Sequence, residues 1–166
     1  MITERLTKIA LIAAIAFFFS LVVLNNLTDY TTNFTFVQHV LAMDTLFPDS
    51  TLTWRAITNP TIQQLFYGTI IAWEVVTAIL CWAGTVHLIG AVRADASCFN
   101  RAKAYGLMGL TSSCLLWLVA FWSVGGEWFA MWQSLIWNGQ PIAFRMFTIT
   151  ILVLMLVRQP DSDLQP

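Results

Sequence analysis

The sequence predicts an all-α protein: a four-helix transmembrane bundle with short surface helices in its first and third loops. Hydrophobic residues make up 58% of the 166 positions and charged residues 10%, against roughly 25% charged in an ordinary soluble domain. A soluble chain of this size could not bury so much apolar surface, so lipid must be part of its solvent. Two further observations agree with this: long apolar segments alternate with polar ones, and the positive charges collect on one side of them.

The predicted helices belong to a single domain, residues 1–160, which a short polar tail, residues 161–166, follows. Asn59 supplies an N-cap and Pro60 a first residue for the second helix, while Gly125 and Gly126 end the third. The four membrane-spanning helices are predicted at residues 6–25, 62–92, 104–124 and 142–157.

Both surface helices are predicted from apolar residues at helical spacing. In the first loop, residues 34–43 place Phe34, Val37 and Leu41 on one face. In the third loop, the same spacing is found for four residues, Trp128, Trp132, Leu135 and Ile136. Such helices lie on the membrane surface, with indole rings at headgroup level.

The distribution of positive charge predicts that both termini face the cytoplasm. In that orientation the outer loops contain Arg55 as their only basic residue. The inner segments contain six: Arg5, Lys8, Arg93, Arg101, Lys103 and Arg158. The positive-inside rule therefore predicts a multi-pass membrane protein with both its N- and C-termini inside.

Composition also narrows the range of functions. A net charge of −1 argues against nucleic acid as a partner. The three cysteines are odd in number and show no zinc-binding spacing. His39 and His87 are predicted at different depths, so they cannot hold a haem between them. We expect no metal and no cofactor.

Glu74 is the principal candidate site residue, because an acid inside a membrane-spanning helix normally faces protein. Counting back from Arg93 at the inner boundary places Glu74 about 28 Å along its helix, near the outer edge of a core roughly 30 Å thick. Arg145 is predicted about 20 Å up from the inner side on the fourth helix. An ion pair between the two would neutralise both charges.

A stripe of small and polar side chains surrounds this acid on its own helix. At about 100° per residue, the following residues lie on the same side as Glu74: Tyr67, Thr77, Ala78, Cys81 and Thr85. Two interpretations remain open. The pair of Glu74 and Arg145, with Tyr67 and Thr77 beside it, is either a structural latch between helices or a site for an ion, a proton or a polar headgroup.

A second candidate site lies on the predicted outer face. It comprises six residues: Asp29, His39, Asp44, Trp54, Arg55 and Glu127. His39 and Asp44 could suggest a divalent metal. Two ligands are equally consistent with a surface helix whose histidine is exposed to water.

Three motifs are the segment NNLTDYTTNFTFVQHVLAMDT-x-FP, TWRAI after it, and the WE of the second helix. In these motifs the sequence resembles an uncharacterised family of bacterial predicted small integral membrane proteins. The resemblance extends to about Arg158. It implies four transmembrane helices in a bacterial cytoplasmic membrane and no established activity. It also supports a functional set of seven residues: Asn25, Asp29, His39, Asp44, Trp54, Arg55 and Glu74.

We therefore expect a non-enzymatic accessory, assembly or scaffold partner of a larger membrane complex, with its tryptophan-rich outer face as the contact site. Its partners would be membrane lipids and either other membrane-protein subunits or further copies of itself. The alternative is a small transporter or a lipid- or ion-binding protein that uses Glu74 and Arg145. A membrane enzyme that uses His39 and Asp44 at the outer face is the third interpretation.

Overall fold

The computed structural model describes residues 2–163, and all regular secondary structure in that range is helical. Its α-helices are α1 (Ile2–Thr28), α2 (Tyr30–Ala42), α3 (Pro60–Gly90), α4 (Ala96–Ala102), α5 (Ala104–Leu115) and α6 (Gln140–Arg158). A π-helical segment, Leu116–Trp128, continues α5, and short 3-10 turns cover Thr51–Arg55 and Met131–Gln133. The predicted tail lies only partly in this range, since residues 164–166 are outside the described residues.

Four helical stretches are long and apolar enough to cross a membrane, which confirms the predicted fold class. These stretches are Ile2–Thr28, Pro60–Gly90, Ala96–Trp128 and Gln140–Arg158. Each contains the span predicted from the sequence except for the last residues of the second, where the helix ends at Gly90. The third stretch is longer than predicted, because α4 leads directly into α5 and the π-helical segment extends it to Trp128.

The surface helix of the first loop is present as α2, but the one predicted in the third loop is not a continuous helix. Ala130 has a φ of 50°, a left-handed conformation that interrupts a helix. The hydroxyl of Ser134 then accepts hydrogen bonds from the backbone N–H groups of Ile136 (3.3 Å) and Trp137 (2.9 Å). This turn leaves only the 3-10 turn Met131–Gln133 as helix within the loop.

The central helix is α3, which packs against α1 on one side and α5 on another, whereas α6 packs mainly against α5 and the π-helical segment. Its start is set locally: the Asn59 side chain accepts hydrogen bonds from the N–H groups of Thr61 (2.9 Å) and Ile62 (3.3 Å). Between α3 and α5 the backbones meet closely. A Cβ added to Gly84 would clash with the backbone of Gly106, so small residues are required there.

The contacts define two ends of the bundle. At the terminal end, the start of α1 meets the end of α3 and the chain after α6, as the bonds from Arg5 to Val92 and Ser162 show. At the loop end, α2 and the two 3-10 turns cover the opposite ends of the same helices. Between the two ends the core is apolar, with Ile12, Phe19, Leu110 and Leu116 fully buried.

Candidate functional site

Glu74 lies in a buried polar network near the loop end, between α1 and α3. Its carboxylate Oε2 accepts a hydrogen bond of 2.6 Å from the Asn26 amide Nδ2. The Tyr67 hydroxyl donates to the Asn26 side-chain oxygen at 3.2 Å. The exposed fractions are 3% for Glu74, 2% for Tyr67 and 7% for Asn26. We call these three residues the Glu74 network.

Aromatic rings cover the network on the side of α2. The ring centroid of Tyr30 lies 4.8 Å from that of Tyr67, and the Phe34 ring lies 5.8 Å from it. Tyr30 and Phe34 belong to the first turns of α2. The position of this surface helix therefore determines how far the network is closed toward the loop end.

The predicted ion pair between Glu74 and Arg145 is wrong. Among residues 2–163, no basic side chain lies within ion-pair distance of Glu74, and the side chain of Arg145 is exposed on α6. Because α3 packs against α1 and α5 rather than chiefly against α6, the residue that meets the acid comes from α1. That residue is the neutral amide Asn26.

The stripe predicted around Glu74 faces the interior of the bundle. All of its members are buried: Tyr67, Thr77, Ala78, Cys81 and Thr85. Thr77 does not join the Glu74 network. Its hydroxyl lies 2.8 Å from that of Ser112 on α5, which also accepts a hydrogen bond from the indole N–H of Trp73 at 3.0 Å.

The outer-face candidates divide into separate groups at the loop end. Nδ1 of His39 lies 2.8 Å from a carboxylate oxygen of Asp44, and the His39 ring stacks on Trp137 at 4.6 Å. Within the described residues, no three His, Cys, Asp or Glu side chains converge as metal ligands. His39 and Asp44 therefore form a pair at the surface rather than part of a larger ligand set.

Arg55 forms the second group together with two tryptophans. Its guanidinium lies over the ring of Trp54 at 5.2 Å and over that of Trp128 at 4.7 Å, and it donates to the Trp128 carbonyl at 3.2 Å. The two remaining candidates, Asp29 and Glu127, are exposed. The structure thus does not gather the six outer-face residues into one site.

Sequence reasoning missed Asn26, although it lies next to Asn25 in the segment that carries the family resemblance. Asn25 is exposed, and its carbonyl accepts the N–H of Asp29 at 2.8 Å. The signal that could have identified Asn26 is its position in α1: a polar amide in the last turns of an apolar helix, at the same depth as Glu74.

Sequence reasoning also missed a second polar cluster, at the terminal end. The Lys8 ammonium lies 2.6 Å from a carboxylate oxygen of Asp161, and the Lys103 ammonium lies 2.5 Å from the same oxygen. Both ammonium groups also donate to the carbonyl of Gln159. Arg5, fully buried beside them, donates to the Ala94 carbonyl at 2.6 Å. We call Arg5, Lys8, Lys103 and Asp161 the terminal cluster.

The charges of the terminal cluster change the pKa of Asp161. Burial acts to raise the pKa of this carboxyl group, but hydrogen bonds and charges from Lys103 and Lys8 outweigh it and hold the pKa below its usual value. In the sequence, the basic residues indicate only membrane orientation, and Asp161 is only the first residue of a polar tail. Only tertiary contacts bring these residues together, since the bonded partners are more than 50 positions apart in the sequence.

The two clusters have different chemical capacities. The terminal cluster pairs its acid with two ammonium groups and its excess cations with backbone carbonyls, which suits a structural joint. In the Glu74 network the carboxyl group has an amide donor and no ion-pair partner among the described residues, so no charged side chain of that range offsets the cost of its burial.

Comparisons with known proteins agree with this architecture. No curated protein and no solved structure matches the chain significantly. One family model, described as predicted small integral membrane protein (DUF2165), matches residues 4–160. Since that range covers nearly the whole chain, including the Glu74 network and the four membrane-spanning stretches from residue 4 onward, the chain belongs to this family of small integral membrane proteins.

Proposed function

We propose that this protein is a non-enzymatic accessory or assembly partner of a larger membrane complex, and that its loop end is the contact site. The observation that carries the proposal is a set of large apolar side chains exposed there. Leu135 is 97% exposed, Ile136 74% and Trp54 71%. Together with Phe47, Trp128 and Trp132, which are about half exposed, they form what we call the loop-end patch.

The loop that carries this patch is held in place by polar contacts. Ser134 is 4% exposed, and its hydroxyl lies 2.7 Å from that of Thr45 in the first loop. Arg55 lies against the indoles of Trp54 and Trp128. A patch whose backbone and rings are already positioned loses little conformational entropy on binding, which favours its use as an interface.

Site-specific photocrosslinking in cells tests this proposal. A photoreactive amino acid placed at Leu135 or Ile136 should give discrete adducts with another polypeptide. The matched control is Leu152, which is 60% exposed on the membrane-spanning α6, and it should label lipid alone. Lipid adducts alone from all three positions, together with a strictly monomeric protein in mild detergent, would contradict an accessory role.

The orientation forms part of the proposal: the terminal end faces the cytoplasm of a bacterium and the loop-end patch the opposite side of its inner membrane. Arg93, Arg101 and Arg158 are exposed near the terminal end and add to the buried cations there. A reporter fused to the C-terminus should therefore be active if it functions in the cytoplasm and inactive if it functions only in the periplasm. Activity of a periplasmic reporter would invert the assignment.

A second function is favoured by one observation, the absence of a basic neighbour around the buried Glu74 within residues 2–163. In a transporter or ion-binding protein, this acid would be the proton or cation site, without Arg145. Replacing Glu74 with Gln separates the two functions. If Glu74 is an ion site, the variant should remain folded and lose the pH-dependent binding or uptake of the wild type. If Glu74 is purely structural, the wild-type protein should show no such binding or uptake.

A further inference from the structure

An apolar pocket of about 350 Å³ lies between α2, α3 and the π-helical segment. It is separate from the Glu74 network, which faces α1. Its walls come from three directions: Val37 and Leu41 of α2, Ile70 and Trp73 of α3, and Phe121 of the π-helical segment. The side chains that form it are almost entirely hydrocarbon.

The few polar atoms near the pocket are already satisfied elsewhere. The indole N–H of Trp73 is directed to Ser112 on α5 at 3.0 Å. The hydroxyl of Thr69 donates to the Leu65 carbonyl of its own helix at 2.8 Å. An occupant would therefore meet no free hydrogen-bonding group on these two side chains, so it must be apolar itself.

The π-helical segment forms one wall of the pocket. Its i→i+5 bonding is seen in the bond from the Phe129 N–H to the Val124 carbonyl at 3.0 Å. In other proteins π-helical turns are rare and are frequently found at functional sites. Ala120 and Gly125, both small, lie on the pocket side of this segment.

The mouth of the pocket opens on the lipid-facing side of the bundle. Leu65 and Val119 line the pocket and are also 69% and 41% exposed. They belong to the membrane-spanning stretches Pro60–Gly90 and Ala96–Trp128. The pocket is thus continuous with the surface that contacts the bilayer, and the hydrocarbon next to its mouth is that of a membrane lipid.

We propose that this pocket binds one acyl chain of a membrane phospholipid, from the leaflet at the loop end. The volume is about ten times that of a water molecule in the liquid, and an apolar cavity of this kind does not hold water. A chain inserted between α2 and α3 would join the surface helix to the bundle. The binding site is distinct from the loop-end patch and from Glu74, so it does not depend on either function proposed above.

The test is native mass spectrometry of the full-length protein, released from detergent after purification. The wild-type protein should retain one phospholipid. The variant Ala120→Trp, which fills the pocket, should lose it. The matched control Ala72→Trp, at an exposed position of α3 that does not line the pocket, should keep it. No retained lipid in the wild type, equal retention in both variants, or a retained lipid without acyl chains would overturn the proposal.

A second measurement uses only the wild-type protein, in case Ala120→Trp does not fold. Vesicles containing a phospholipid with a diazirine on its acyl chain would be irradiated and the labelled peptides sequenced. Labels should concentrate on residues 65–73 and 119–125. Labelling spread evenly over all lipid-exposed positions, such as Ile79 and Leu152, would mean that the pocket does not hold a chain.

Discussion

At the terminal end of the bundle, the Asp161 carboxylate lies against the ammonium groups of both Lys8 and Lys103. At the loop end, the hydrogen-bond donor to the Glu74 carboxyl within residues 2–163 is an uncharged group, the Asn26 amide. Both acids are buried, with Glu74 3% and Asp161 9% exposed. Position in the membrane does not explain the difference, since each cluster lies near one end of the same helices. The difference lies in the partner that tertiary packing supplies.

The partner of a buried acid determines how much the acid contributes to stability. A buried acid that is fully paired with cations stabilises the contact it bridges, and removing it leaves those cations without a partner. A buried acid with a neutral partner stabilises little but can exchange a proton or a cation. Variants that break one cluster and then the other should therefore have unequal effects on stability.

The largest effect is expected from Asp161→Asn. This change leaves Lys8 and Lys103, 5% and 2% exposed, without their carboxylate, and the cost of an unpaired buried charge is on the order of 3–5 kcal/mol. Thermal unfolding in detergent should show a marked fall in the melting temperature. The matched control is Asp163→Asn, since Asp163 is exposed and, within the described residues, accepts a hydrogen bond from a backbone N–H, that of Ala96. An equally stable Asp161→Asn would show that the terminal cluster is not a structural joint.

A smaller loss is expected from Asn26→Leu. It removes the only donor to Glu74 seen among the described residues, and a buried acceptor without its donor costs about 1–3 kcal/mol. Glu74→Gln should cost less than Asn26→Leu, because the amide oxygen can still accept from Asn26. Chemical unfolding of the two variants side by side measures the difference. A greater loss from Glu74→Gln would mean that the acid is held by its charge.

A pH dependence should be found at the terminal end. The pKa of Asp161 is lower in the folded protein than its usual value, so its pairs contribute stability above about pH 3.9, the value for a free aspartate. That contribution is lost as the pH falls from there through the lower folded pKa. Wild-type stability should decline more steeply below about pH 4 than that of Asp161→Asn. Parallel curves would exclude Asp161 as the source.

The smallest effect is expected from Arg145→Gln. The side chain is exposed on α6 and makes no ion pair with Glu74, and exposed substitutions away from special contacts usually change stability by less than about 0.5 kcal/mol. Melting temperatures of wild type and variant should agree closely. A loss as large as that of Asn26→Leu would restore the ion pair that the sequence predicted.

Much of the architecture follows from local pattern. Apolar length predicted four spans, and helical periodicity around Glu74 correctly predicted a buried face that includes Tyr67 and Thr77. The same periodicity failed in the third loop. The spacing of Trp128, Trp132 and Leu135 is compatible with a helix, but the left-handed Ala130 and the Ser134 turn interrupt it. Backbone conformation at a single residue is not visible in a pattern of side chains.

The sequence by itself determined which segments enter the membrane and which face of α3 is buried, because both depend on the polarity of residues close together in the chain. Only the tertiary structure decided which buried groups meet. Asn26 rather than Arg145 lies beside Glu74, because α3 packs chiefly against α1 and α5. Asp161 lies beside Lys8 and Lys103, because the chain after α6 contacts the starts of α1 and α5. Helix adjacency depends on contacts between distant residues, and periodicity along one helix contains no information about them.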